Sequence, residues 1–407
     1  MRISPAAPRI RPGPPPRSQV SQANERVLCA CLFLLPIGAA VLVPRLPLSL
    51  AAGDFLVAPI TGYGVLAMTR RGSAATVALK RAAPWLYLIL AGSVAGLIGV
   101  GIPSWAVVDL VKNLTAVLSF FAVWHLLSTA ARVRAMLKGW IVGGVLTAGL
   151  LLAAGGPRPS ATFYHPNYAA HYLACAALLV AGSPGIPRVR RVALALLFVA
   201  GIAATASFGG LAMLIVGGGL LFVGVREKRG PSQWRSAPRW TRVALVAALG
   251  LLMSLLVPAF LSQRVGSEAL NAERLDRSAS TRSELYWDAL GLLADHPTGA
   301  GPTGIKNREL LVRDGVPWES HSDPLGYLLE RGVVGLAGLA GFAWCLFGVA
   351  RRFALSRAVF LMLVVSGLLR ETLNFRHLWL ALALAFAVDL QHARAEDRRG
   401  PSAVAGA

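Results

Sequence analysis

The chain has 407 residues, 55% of them hydrophobic and only 14% charged, with a formal net charge of +21. Soluble domains hold about 25% charged residues, so this composition excludes an ordinary soluble domain, and repeated apolar runs of about 20 residues point to a polytopic α-helical membrane protein. The excess Lys and Arg fall in short clusters between apolar runs, which excludes a nucleic-acid-binding face, and the runs are too long and too uniform for a transmembrane barrel.

Residues Met1 to Arg26 form a Pro/Arg-rich stretch expected to be a disordered tail. The apolar run that follows is the first of many, so it reads as a span and not as a cleavable signal. Expected spans cover 27–43, 48–68, 85–102, 106–128, 138–155, 167–183, 190–206, 208–225, 241–262, 324–350, 356–370 and 375–391. The boundary between the seventh and eighth is the weakest, because only Thr205 to Ser207 separates them. The expected fold is therefore all-α, with about 12 transmembrane helices. Spans 1–9 lie within 27–262, spans 10–12 within 324–391, and a tail covers 392–407.

Basic residues set the orientation. With both termini cytoplasmic, most of the 40 Lys and Arg residues fall on the cytoplasmic side. The short opposite loops hold only Arg45, Arg158, Arg370 and Arg376. This is the positive-inside pattern, and it puts the long hydrophilic insert 263–323 outside the cytoplasm. Cys29, Cys31, Cys175 and Cys345 fall in or near spans and read as small apolar side chains. Cys29-Ala-Cys31 has no partners at a zinc spacing, so no metal is expected.

The polar residues of the outer side follow in chain order. Asp54 lies near the outer end of the second span. Asp109 and Lys112, three apart in the fourth, are placed to pair on one helix face. Phe163-Tyr-His165-Pro-Asn167-Tyr stands at the outer entrance of the sixth span. Tyr164 and Asn167 there can contact a sugar or belong to an interfacial aromatic belt. In the insert, Thr281-Arg-Ser-Glu284 is a capping box. It predicts a helix with an apolar face running to about Ala294 and stopping at His296-Pro297. Arg282 falls in its first turn, where the helix dipole disfavours a cation, so an anionic partner is expected beside it. Gly299-Ala-Gly301-Pro-Thr-Gly304 matches a dinucleotide fingerprint by letters alone, since it lacks the preceding strand. It reads as a Gly-rich turn whose backbone amides could still help hold a phosphate. His321 then precedes Asp323-Pro324, which is expected to cap the next span. An imidazole there suits proton transfer near neutral pH. Arg370-Glu371-Thr-Leu-Asn374-Phe-Arg376 forms the last outer loop, where two cations stand against the charge rule and can pair with Glu371 or bind an anion.

Three segments together resemble the O-antigen ligase and polymerase superfamily, bacterial membrane glycosyltransferases that use lipid-linked glycans. Ala161-Thr-Phe-Tyr-His-Pro-Asn167-Tyr-Ala-Ala resembles G-T-F-x-x-P-N-x-x-A. Arg282-Ser-Glu-Leu-Tyr-Trp287-Asp-Ala-Leu, with His296-Pro-Thr-Gly-Ala-Gly301, resembles R-x-x-x-W/Y-x-x-A-L…P-x-x-G-x-G. His321-Ser-Asp-Pro-Leu, with Glu330-Arg-Gly-Val-Val-Gly335, is similar to H-N-x-x-L…E-x-G-x-x-G. The resemblance implies transfer of a glycan from undecaprenyl diphosphate to an acceptor hydroxyl, with inversion at the anomeric carbon and with neither metal nor other cofactor. It also implies a bacterial inner membrane, with the insert on its periplasmic side. It assigns the diphosphate to Arg282 and the proton to His321. The acceptor can be lipid A core (a ligase), a growing repeat polymer (an O-antigen or exopolysaccharide polymerase) or a protein. The chain departs from the family at Ser207-Phe208-Gly209, where Ser-Arg-Gly is usual, and at Ser322, where Asn is usual. Arg264, Arg274, Arg277, Arg370 or Arg376 can stand in for the missing arginine. A lipid-linked-sugar flippase would instead need inverted repeats and polar residues near the bilayer midplane. An inactive assembly partner is the remaining alternative, on the strength of Phe208.

Overall fold

In the computed structural model the residues described are 19–40, 54–70, 72–98, 103–154, 159–163, 165–227, 284, 286–307, 309–313, 316–317, 322–370, 372–373 and 375–399. They form helices α1 (Gln19–Ala39), α2 (Asp54–Arg70), α3 (Ala74–Ile98), α4 (Ser104–Leu126), α5 (Ala130–Ala154), α6 (Pro166–Gly182), α7 (Arg188–Ala204) and α8 (Phe208–Glu227). Next come helical residues 286–295 (α9), α10 (Gly304–Asn307), β1 (Val312–Arg313), β2 (Val316–Pro317), α11 (Asp323–Ala350), α12 (Ala354–Leu369) and α13 (Arg376–Arg399). The two strands pair antiparallel, Val312 with Pro317 and Arg313 with Val316. This pairing is not legible in the sequence, because strands of two residues carry no period to read.

Among the described residues, four helices are long and apolar enough to cross a membrane: Ala74–Ile98, Ser104–Leu126, Ala130–Ala154 and Asp323–Ala350. Shorter apolar helices cover Phe55–Arg70, Gly209–Val223 and Ala354–Leu368. The protein is a polytopic, mainly helical membrane protein. Each expected span meets a helix except 241–262, which lies outside the described residues. The seventh and eighth do separate where the apolar run is thinnest. Thr205 closes α7 with its hydroxyl on the Ile202 carbonyl, Ala206 takes a positive φ of 48°, and the Ser207 hydroxyl accepts from the Gly210 N–H at 3.2 Å.

Several helices outrun their apolar cores, because hydropathy sees only the lipid-facing part. α3 starts at Ala74, α5 at Ala130, and α13 runs on to Arg399. α1 starts at Gln19, inside the stretch 1–26 expected to be a disordered tail. An ion pair between Glu25 and Arg132 ties the second turn of α1 to α5, with the Arg132 Nε–H on Glu25 Oε1 at 2.9 Å. Prolines mark the starts: Pro103 and Pro187 sit at N-caps, and Pro166 and Pro324 in first turns, where a missing N–H costs nothing.

Two helices form the centre. Every residue of α6 from Ala169 to Val180 is buried, as is every residue of α13 from His377 to Val388. A helix apolar all round belongs inside a bundle, and the alanines of both allow close approach without a large void. α6 has 17 residues, fewer than the roughly 20 needed to span lipid alone. Its neighbours α5, α7, α8 and α13 shield it. The broadest seam joins α3 to α11 and is backbone on backbone: a Cβ added at Gly338 would lie 2.7 Å from the Ile89 nitrogen and 2.8 Å from the Trp85 carbonyl oxygen.

Neither of those atoms can move without shifting α3. Gly338→Ala is therefore expected to destabilise by about 1–3 kcal/mol, the usual cost of overpacking. Gly149→Ala, on an exposed face of α5 with nothing near its added Cβ, is expected to be neutral or slightly stabilising. Thermal unfolding of both variants in detergent checks the contrast.

Candidate functional site

The outer end of α11 is built by a joint between the two Gly-containing segments. α9 ends where His296 donates to the Leu292 carbonyl, as its sequence predicted. The chain then turns, and its Ala300 and Gly301 amides donate to the carbonyls of Leu329 and Glu330 at 2.8 and 2.9 Å. In an unbroken helix those carbonyls would accept from residues four further on. They do not, because α11 is broken at Gly332, with φ 62° and ψ −171°. Gly299 and Gly301 also hold positive φ, 93° and 80°, a region that glycine enters without strain. A Cβ on Gly299 would sit 2.4 Å from the Glu330 carbonyl oxygen. So Pro297-Thr-Gly299-Ala-Gly301 and Glu330-Arg-Gly332-Val-Val-Gly335 are the two halves of one backbone interlock. The idea that amides in this turn help hold a phosphate is corrected for Ala300 and Gly301, whose N–H groups are spent on α11. Above the joint, Ala289, Ile305, Leu311 and Leu329 close a small second core, with Leu292, Leu293 and Leu325 packed on it.

Beside the joint lies a buried charge cluster. Arg331 is only 2% exposed. Its Nε–H donates to the Ser93 hydroxyl at 3.0 Å. Its guanidinium faces Asp109 at 3.6 Å and Glu330 at 3.5 Å and stacks 4.1 Å from the centre of the Tyr327 ring. Asp109 was expected to pair with Lys112. Lys112 is near enough to act on it electrostatically, but the ion pair Asp109 makes is with Arg331, and it accepts from the Asn113 amide at 2.8 Å. The reason is burial: α4 turns this face to α3 and α11, and the buried guanidinium needs a counter-charge. These residues line a cavity of about 30 Å³ with Thr303 and Asp323, room for about one water. The sequence reading missed Arg331, although a cation inside an apolar helix is a signal in itself.

Asp323 was expected to cap α11. Instead Ser322 holds the cap position and Asp323 is the first helical residue. Its carboxylate reaches across to the last outer loop. It accepts from the Thr372 N–H at 2.9 Å, the Thr372 hydroxyl at 2.9 Å and the Leu373 N–H at 3.2 Å. Three bonds to one carboxylate tie the start of α11 to the segment between Arg370 and Arg376. Below this tie an apolar cavity of about 280 Å³ runs between α11, α12 and α13. Asp323, Thr372 and Leu373 line its outer end, and Leu339, Phe342 and Leu346 its length.

The same loop meets the entrance of α6 in an aromatic platform. Tyr168 packs edge-on against Phe375 at 4.2 Å, and the Arg370 guanidinium lies 5.2 Å from the Tyr168 ring centre. Phe375 stacks on His377 at 5.7 Å and approaches His171 at 5.9 Å. The His165 ring nitrogen accepts from the Asn167 N–H at 3.1 Å, so His165 is the cap of α6. Of the expected site residues, then, Arg370 lies on this platform, Asn167 precedes its Tyr168 in the first turn of α6, and Arg376 opens α13 next to buried His377. Arg282, His321, Arg264 and Tyr164 lie outside the described residues, as do Asp54's side chain, Glu371, Asn374 and the side chain of Phe208. Among the described residues no group of three or more His, Cys, Asp or Glu is placed to hold a metal ion.

Residues 193–340 match the sequence profile of the O-Antigen ligase family. The matched stretch runs from α7 through the α9 joint and past the break in α11. No curated protein matches the chain.

Removing one partner of a buried ion pair leaves the other charge stranded. Arg331→Ala is expected to destabilise by about 3–5 kcal/mol. In the background of Asp109→Asn the same change is expected to cost clearly less, because the stranded charge is gone. Unfolding of the two single variants and the double variant, taken as a cycle, measures the difference.

Proposed function

From the O-antigen ligase domain that the chain carries over residues 193–340, we propose that it is a membrane glycosyltransferase. It moves a preassembled glycan from undecaprenyl diphosphate to an acceptor hydroxyl on the extracytoplasmic face of the bacterial inner membrane. The observation that carries this reading is the interlock at Gly332. By pinning Ala300 and Gly301 to α11, it ties the end of α9 to the outer half of the helix whose N-terminus follows His321. α9, which follows Arg282 in the chain, and the first turns of α11, which follow His321, are thereby fastened to each other.

The chemistry follows from the residue types. The acceptor oxygen attacks the anomeric carbon, the new glycosidic C–O bond forms, and the C–O bond to phosphate breaks. Undecaprenyl diphosphate leaves with the electron pair, and the acceptor proton passes to the His321 imidazole. Arg282 offers paired N–H donors that match phosphate oxygens and stabilises the charge on the leaving group. Attack from the face opposite the leaving group inverts the anomeric centre. The apolar cavity between α11, α12 and α13 has the character an isoprenoid tail needs. Asn167 and the Tyr168 ring offer hydrogen bonds and a flat face to a sugar. A ligase and a polymerase share all these steps and differ in the acceptor. Transport is less well supported: Asp109 lies one turn inside the start of α4 and is held by Arg331 and Asn113, away from the bilayer midplane.

His321→Ala and Arg282→Ala are each expected to lower transfer by about 10²-fold or more without changing membrane yield. Arg282→Lys is expected to rescue only in part, since an ammonium cannot make the forked contact. The assay is transfer by the full chain in vesicles with chelator present, together with gel analysis of surface polysaccharide in a complemented deletion strain. Wild-type polysaccharide from both alanine variants, or strict dependence on an added cation, defeats the assignment.

A further inference from the structure

α9 carries three faces where an interior loop helix needs two. Ala289, Leu292 and Leu293 point into the small core above the joint. Glu284, Asp288 and Asp295 form an exposed acidic face. Between them stands an apolar stripe at helical spacing, Trp287, Leu290 and Ala294. Trp287 is 72% exposed and Leu290 47%, whereas Ala289 is wholly buried. The stripe therefore is not part of the packing that holds the helix in place. Val312 of the neighbouring hairpin is also half-exposed.

The place of the helix says what covers the stripe. The turn that ends α9 rests on α3 and α11: a Cβ on Gly301 would touch Leu97, and one on Gly96 would lie 2.6 Å from the Glu330 carbonyl oxygen. Next to those positions Ile98 on α3 and Val333 on α11 are 79% and 64% exposed. These two residues belong to helices long and apolar enough to cross a membrane, and apolar side chains exposed at that level suit lipid. α9 is thus fastened at the level where the spans leave the bilayer, with tryptophan, leucine and alanine on one side and carboxylates on the next. That is the pattern of a helix lying in the plane of a membrane interface, and tryptophan is enriched at that depth.

We infer that α9 lies on the bilayer surface with Trp287, Leu290 and Ala294 in the lipid headgroup–acyl boundary, so that the extracytoplasmic loop is held on the membrane by its own helix. The surface stands without the proposed reaction. Its consequence rests on that reading: lying flat at this depth, α9, which follows Arg282 in the chain, is held at the level of a lipid-borne diphosphate.

The test uses the full chain in phosphatidylethanolamine/phosphatidylglycerol vesicles, with Cys29, Cys31, Cys175 and Cys345 replaced. Single cysteines at positions 287 to 295 carry a nitroxide, and collisions with oxygen (enriched in lipid) and with a nickel chelate (confined to water) are compared. The expected ratio of oxygen to nickel accessibility is several-fold higher at 287, 290 and 294 than at 288, 291 and 295. Position 289 is expected to be shielded from both. An independent reading needs no label: Trp287→Phe is expected to remove a component of tryptophan emission that lipids brominated near the headgroup quench. Equal, water-like accessibility at 287 and 288 would overturn the inference, as would shielding of 287 and 290 from both reagents, the mark of another protein or a second copy on the stripe. Neither readout depends on glycan transfer, so a failed surface and a failed activity are told apart.

Discussion

Two backbone hydrogen bonds, from Ala300 and Gly301 to the carbonyls of Leu329 and Glu330, organise the end of the bundle at which α11 begins. They exist because α11 gives up its own ladder at Gly332. Inside lipid a freed carbonyl is costly, and a break is tolerated only where other groups satisfy it. Here the turn after α9 supplies the donors, so the break and the loop depend on each other. Neither a side chain at Gly299 nor one at Gly332 has room: the first would meet the Glu330 carbonyl, the second the Pro297 and Thr298 carbonyls. The glycines of this region are there for close backbone approach, in a chain where a phosphate cradle might have been read from the same letters.

The bundle beneath is stabilised differently at its two levels. Within the apolar layer, small residues bring α6 and α13 into close contact, and dispersion does most of the work. Near the outer end, polar side chains do it. Asp323 fastens α11 to the loop before α13 with three bonds, and Arg331 joins α3, α4 and α11 through Ser93, Asp109 and Tyr327. Polar groups at this depth have few alternatives in lipid, so a satisfied network gives one definite geometry. That is what a site at the membrane surface requires of its scaffold.

Much of the helical frame was legible, because apolar runs of span length leave little choice of structure. The α7–α8 boundary was readable from Thr205 to Ser207, as was the stop of α9 at His296. What escaped was long-range. Asp323 looked like a cap because the residue before a helix proline often is one, yet its partners, Thr372 and Leu373, are some fifty positions away. Asp109 looked like the partner of Lys112 because three apart means one face, yet the pair it makes is with Arg331 on another helix. Charge patterns within one segment show what can pair; packing decides what does. The platform of Tyr168, Arg370 and Phe375 was half visible: its members had been singled out in two separate loops, and nothing local said the loops would meet.

The charges of the outer end bear on where a diphosphate can bind under the proposed reading. Asp109, Asp323 and Glu330 bring three carboxylates to this region. Arg331, the cation nearest them, is held by Ser93, Asp109 and Glu330, so it balances protein charge and not substrate charge. An anionic donor must then be met by arginines of the loops. Arg370 is the described cation best placed for this. It is half-exposed, it lies over Tyr168, and it acts electrostatically on His171. The His171 ring in turn comes within 3.3 Å of a Cβ built on Gly209, the residue after Phe208. Arg370 thus acts on a ring that packs beside the residue following position 208, the position at which the resemblance implies a second arginine in the family. Under the proposed reading, a donor met by Arg370 would make a phenylalanine at 208 compatible with an active enzyme.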